Sequence, residues 1–124
     1  LWCCAYLIGG GCNDDRFSDF RSGLLFLGRE IFENALTDAD GLADALMIKF
    51  GTLDFSEFDL INEDFGCTAY RVFEERSTWD VTEFANYGSH TESPIGTDWD
   101  FENYNQTSSR LPKLTEAFGE WIKE

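Results

Sequence analysis

Leu7-Ile8-Gly9-Gly10-Gly11-Cys12-Asn13-Asp14-Asp15-Arg16-Phe17-Ser18-Asp19-Phe20-Arg21 runs from an apolar segment, through three glycines, into an amphipathic stretch that continues to Leu36. At ~100° per residue, Phe17, Phe20, Leu24, Leu25, Leu27, Ile31, Phe32, Ala35 and Leu36 share one half of a helical wheel. This predicts one helix over residues 14–36 as the middle of the fold. Its solvent side carries Asp19, Ser22, Arg29, Glu30 and Glu33, with Phe26 among them. Arg21 and Gly28 fall inside the apolar half. An arginine there needs a carboxylate or carbonyl partner. A glycine there costs roughly 1 kcal/mol of helix propensity, so it is expected to admit a second backbone. Ahead of the helix, Gly10 and Gly11 permit positive φ and a tight reversal. Asn13 or Asp14 is the expected cap, with Asp14 and Asp15 favouring the positive helix end.

Working outward, residues 1–8 are apolar and read as a buried helix or a strand, since periodicity cannot decide over so short a run. Thr37, Asp38 and Asp40 form a turn. Residues 41–50 then read as a short helix with Leu42, Leu46 and Met47 inward. A calcium loop is excluded there, because Ala43 and Lys49 stand where a glycine and an acid are needed. Residues 51–56 form a connection, and Ser56 to Asp59 resembles a capping box. Helical spacing follows through Phe58, Ile61, Phe65, Ala69, Val72 and Phe73, with Gly66 able to bend it and Glu74 to Arg76 as a solvated end. Residues 77–108 read as irregular, with one helical turn over 80–87 and His90 exposed in a loop. Pro112 opens a last helix whose stripe is Leu111, Leu114, Phe118, Trp121 and Ile122. The predicted fold is all-α: an irregular bundle of about four to five helices around 14–36 in a single domain, 1–124.

Composition narrows the function. The 9 basic and 24 acidic residues give a formal net charge of −15. Such a surface disfavours direct contact with nucleic acid or an anionic membrane, and suits a basic protein partner. Cys3, Cys4, Cys12 and Cys67 match no disulfide or zinc spacing and read as reduced thiols of a cytoplasmic protein. No apolar run reaches the ~18 residues of a membrane span. The triple glycine carries no Gly-Lys-Ser or Gly-x-Gly-x-x-Gly pattern, and Asp14 and Asp15 would repel a phosphate. Residue 1 lies inside an element and no initiator Met is present, so the sequence reads as a piece of a longer or processed protein.

Residues 1–21, Gly28 to Leu36 and Thr37 to Ala43 resemble the signature of an uncharacterised bacterial family, the domain of unknown function 4240. Thr68 to Arg76 is similar to its second helical block and Arg110 to Leu114 to its C-terminal block. Gly23 departs from the family Trp, Leu27 from a frequent Gln and Ala39 from a Pro. The resemblance implies a largely helical fold with one or more helices ahead of residue 1, a cytoplasmic bacterial setting and no known activity.

The leading reading is a protein-binding module, immunity- or antitoxin-like, that covers a basic protein. Its candidate contacts are Asp14, Asp15 and Arg21, together with Asp98, Trp99, Asp100 and Tyr104 in the segment where acids and aromatics interleave. Gly10, Gly11, Asn13 and Gly28 are structural. No catalytic or metal-ligating set and no cofactor is predicted, and a homo-oligomer is compatible with the sequence. The alternatives are a Mg²⁺-dependent enzyme built on Asp14, Asp15, Asp19 and Arg21, and a nucleic-acid mimic inhibiting a basic protein.

Overall fold

The computed structural model describes residues 1–54, 60, 64, 67–76 and 97–123. Among these, seven α-helices and a closing 3₁₀ turn are present and no strand, so the chain is an all-α bundle. The helices are α1 (Trp2–Gly9), α2 (Asp14–Leu27), α3 (Arg29–Thr37), α4 (Leu42–Phe50), α5 (Thr68–Arg76), α6 (Tyr104–Arg110) and α7 (Pro112–Phe118); the 3₁₀ turn is Glu120–Ile122. The expected features at Ser56 to Asp59, Phe58, Ile61, Phe65, Gly66, 80–87 and His90, and the side chains of Ala69 and Phe73, lie outside the described residues. No helix among the described residues is long and apolar enough to cross a membrane.

The most deeply buried element is α1. Cys3, Cys4, Ala5, Leu7 and Ile8 are all buried, because a short helix that is apolar on every side can shed water only by lying inside. It packs on α2 and α7, while α4 lies against α3 and α7. Trp2 meets Phe17 of α2 with ring centroids 4.5 Å apart. Gly10 ends α1 in the left-handed region at φ 64°. The Gly11 amide bonds back to the Tyr6 carbonyl at 2.9 Å, which is the reversal the glycines predict. The Asn13 side chain then caps α2, accepting from the Arg16 amide at 2.9 Å.

The expected single helix over 14–36 is two helices. Gly28 sits at φ 113°, ψ 159° and ends α2, and α3 restarts at Arg29. A Cβ there would meet nothing within 4 Å. Gly28 therefore serves to redirect the chain at a positive φ and not to admit a neighbouring backbone. That close approach occurs one turn earlier: a Cβ on Gly23 would lie 2.6 Å from the Leu60 carbonyl carbon.

The redirection also alters which residues are buried. In α2 only Phe20, Gly23 and Leu24 are buried. Arg21 lies roughly 100° round the axis from Phe20, outside that narrow arc. It is exposed, with its guanidinium 5.0 Å from the Phe17 ring centre, which corrects the buried position expected for it. Leu25 lies further round the same way and is exposed, as is Phe26. In α3 Ala35 is buried, but Leu36 is 59% exposed because the second helix no longer keeps the first one's phase. Met47, expected inward, is exposed, while Leu42 and Leu46 are buried.

The C-terminal part closes the core. Helix α6 begins at Tyr104, inside the stretch expected to be irregular, because Asn103 caps it by accepting from the Gln106 amide at 3.1 Å. Pro112 occupies the first turn of α7. The preceding residue, Leu111, offers no capping side chain, and the cap comes from the turn between α3 and α4. Asp40 accepts from the Lys113 amide at 3.2 Å and the Leu114 amide at 3.0 Å. These are two of the amides that a helix leaves unbonded at its start. Leu111, Leu114 and Ile122 complete the hydrophobic cluster begun by α1. Trp121 stays 41% exposed, against the inward position expected.

Candidate protein-contact surface

Residues 98–102 carry a two-residue alternation. Asp98, Asp100 and Glu102 are exposed, while Trp99 and Phe101 are half-buried and pack against the core. A turn follows at Phe101 and Glu102, closed by the Asn103 amide on the Asp100 carbonyl at 3.2 Å, and across it the acids form an outer row and the aromatics an inner row. Asp100 holds the bend, its side chain accepting from the Glu102 amide at 3.0 Å. From below, the buried Thr107 hydroxyl donates to the Phe101 carbonyl at 3.1 Å.

The aromatic row continues onto other elements. Trp99 meets Phe101 edge-on at 5.0 Å, and the Arg110 guanidinium lies 4.5 Å from the Trp99 ring centre. The Trp99 indole nitrogen is buried without an acceptor. Tyr6 of α1 stands 5.8 Å from Phe101 and 5.1 Å from Trp121, ring centre to ring centre. Its hydroxyl donates to Glu102 at 3.1 Å. Burial pushes the Tyr6 phenol above its ordinary value, and the hydrogen bond to Glu102 pushes the same way, so Tyr6 remains a neutral donor at neutral pH. The Trp121 indole donates to the Leu7 carbonyl at 3.4 Å, and Lys123 lies 5.6 Å from the Tyr104 ring centre.

Of the residues singled out from sequence, Asp98, Trp99, Asp100 and Tyr104 belong to this surface. Asp14 and Asp15 occupy the first turn of α2 and are exposed, and Arg21 lies along the same helix. Tyr6, Glu102, Arg110, Trp121 and Lys123 join the surface without having been singled out. The Tyr6–Glu102 bond spans 96 residues and the Trp121–Leu7 bond 114. No local pattern encodes such pairings. Among the described residues no three His, Cys, Asp or Glu side chains converge to hold a metal ion. Cys3 and Cys4 are buried free thiols. Burial, with Cys4 adding to it, pushes the Cys3 thiol up to about 12, far from a reactive thiolate.

The chain belongs to the family described as Protein of unknown function (DUF4240), whose model matches residues 1–75. The match takes in α1 to α4 and Tyr6, and the acidic row at 98–102 lies beyond it. Comparison with curated proteins and with solved structures finds no match.

Proposed function

We propose that this chain is a cytoplasmic protein-binding module, acting as one helical domain, that engages a basic partner through the Asp98–Asp100–Glu102 row. The observation that carries the reading is the sorting of this segment, with acids outward on aromatics that are packed inward. Carboxylates so mounted are held in fixed positions, which favours fast, salt-sensitive encounter with a positive surface.

The placement of the cations supports it. Among the described residues, eight of the nine Lys and Arg side chains are engaged with this chain's own groups, Arg21 over Phe17 and Arg110 over Trp99 among them. Arg16 and Lys49 donate to the Gly9 and Leu27 carbonyls. Arg29, Arg71, Lys113 and Lys123 pair with Glu33, Asp64, Asp44 and Glu120. These ion-paired acids do not include Asp98, Asp100 or Glu102. Buried free thiols suit a reducing compartment.

The test is affinity capture from the source organism, comparing the wild type with the Asp98→Asn/Asp100→Asn/Glu102→Gln variant. The expected partners carry net positive charge, bind at about 50 mM salt, are released near about 0.5 M salt, and are lost on the variant. Capture of neutral or acidic proteins only, or equal capture by the variant, overturns the reading.

A further inference from the structure

We infer that this surface receives an arginine-bearing segment of the partner, one guanidinium stacking on the exposed indole of Trp121 while a neighbouring cation meets Glu102. The inference rests on the reading of the surface as a site for a basic protein, and names the side chain that anchors it. Two aromatic side chains of this surface already carry one of the chain's own cations. Trp99 carries Arg110 and Tyr104 carries Lys123. Trp121 is 41% exposed, and among the described residues no cation lies over its ring. An indole face is the strongest of the aromatic acceptors for a cation.

Trp121 is also held in place before any partner arrives. Its indole nitrogen is tied to the Leu7 carbonyl and its ring leans on Tyr6, so little side-chain entropy remains to be lost on binding. Tyr6 links the two halves of the site, its ring against Trp121 and its hydroxyl on Glu102. An exposed indole and an exposed carboxylate therefore stand one phenol ring apart. Arginine fits better than lysine because a planar, weakly hydrated guanidinium can stack flat on the indole, whereas an ammonium presents only a point charge.

Titrating the full chain calorimetrically with capped arginine and lysine peptides of equal length tests this. The arginine peptide is expected to bind more tightly, and Trp121→Leu to weaken it by about five- to ten-fold, to the level of the lysine peptide. Trp121→Phe is expected to keep part of the preference. In the wild type, the Trp121 indole N–H resonance is expected to shift selectively with the arginine peptide, a readout that does not depend on a variant folding. Equal binding of the two peptides, an unaltered affinity in Trp121→Leu, or an unmoved indole resonance overturns the inference. If basic proteins are still captured through Asp98, Asp100 and Glu102 in that event, the wider reading stands. If salt-sensitive capture is also lost, both fall.

Discussion

Asp40→Ala is expected to destabilise the fold by about 2–3 kcal/mol, which is large for a half-exposed turn residue. Asp40 accepts from the Lys113 and Leu114 amides. It therefore caps a helix that begins more than seventy residues later in the chain. A capping side chain is worth about 0.5–2 kcal/mol, and a hydrogen bond to a charged acceptor about 1.5–3. Two full charged bonds would exceed the expected figure, but the Lys113 amide is exposed, and water replaces its partner at small cost. The Leu114 amide is partly buried beside a fully buried side chain, so most of the loss falls there. Urea unfolding followed by far-ultraviolet circular dichroism measures this, with an unchanged denaturant slope confirming that only stability has moved. Asp40→Asn keeps an acceptor and is expected to recover part of the loss. Asp44→Ala removes the exposed ion pair to Lys113 and is expected to cost under about 1 kcal/mol. If Asp40→Ala costs no more than Asp44→Ala, the long-range cap contributes nothing and the reasoning fails.

Gly23→Ala would raise helix propensity by about 1 kcal/mol in an open helix, but the Leu60 carbonyl lies against it. A net loss of about 1–3 kcal/mol in urea unfolding is expected, and a net gain refutes the close approach. Arg21→Ala is expected to stay within about 1 kcal/mol of the wild type, since its guanidinium is exposed over Phe17; a loss above about 3 kcal/mol would mean that the side chain is buried after all. The Cys3 thiol is raised from 9.0 to about 12 in the folded chain, so across that window the unfolded chain has lost a proton that the folded chain retains. Stability is fully present below pH 9 and declines as pH rises towards 12. Urea midpoints taken across this range are expected to fall, and to fall less steeply in Cys3→Ala; an equal slope in both rules out the thiol as the source.

Local chemistry explains why some of this architecture was readable in advance. The Asn13 cap, the reversal at Gly10 and Gly11 and the start of α7 at Pro112 each depend on residues adjacent in the chain, and each stands where the sequence puts it. The helical wheel of 14–36 misled because it assumed one continuous axis. Gly28, taken as a packing glycine, is a change of direction, and every angle beyond it is reset. Leu36 is the visible consequence. The dominance of α1 was hidden for a different reason. A helix buried on every side has no amphipathic period to detect, so its apolar run is equally readable as a strand. The Asp40 cap and the approach of Leu60 to Gly23 join distant parts of the chain and leave no local trace.

The candidate surface divides in the same way, and the division has a physical meaning. The interleaved stretch from Asp98 to Tyr104 was visible as a composition, yet composition alone could not say that its two residue types face opposite ways. The structure sorts them. Trp99 and Phe101 pack against the core and hold the segment down, and so fix Asp98, Asp100 and Glu102 at its outer edge. On the proposed reading, aromatic contact with a partner falls to Trp121, contributed by the C-terminal turn and held by a carbonyl of α1. An anionic edge attracts any cation. An indole fixed one phenol ring away from a carboxylate favours a cation that is also flat. If the surface binds as proposed, long-range steering and short-range choice fall to different residues, and substitutions at Asp98 and at Trp121 should be separable, the first acting chiefly on association rate and the second on dissociation.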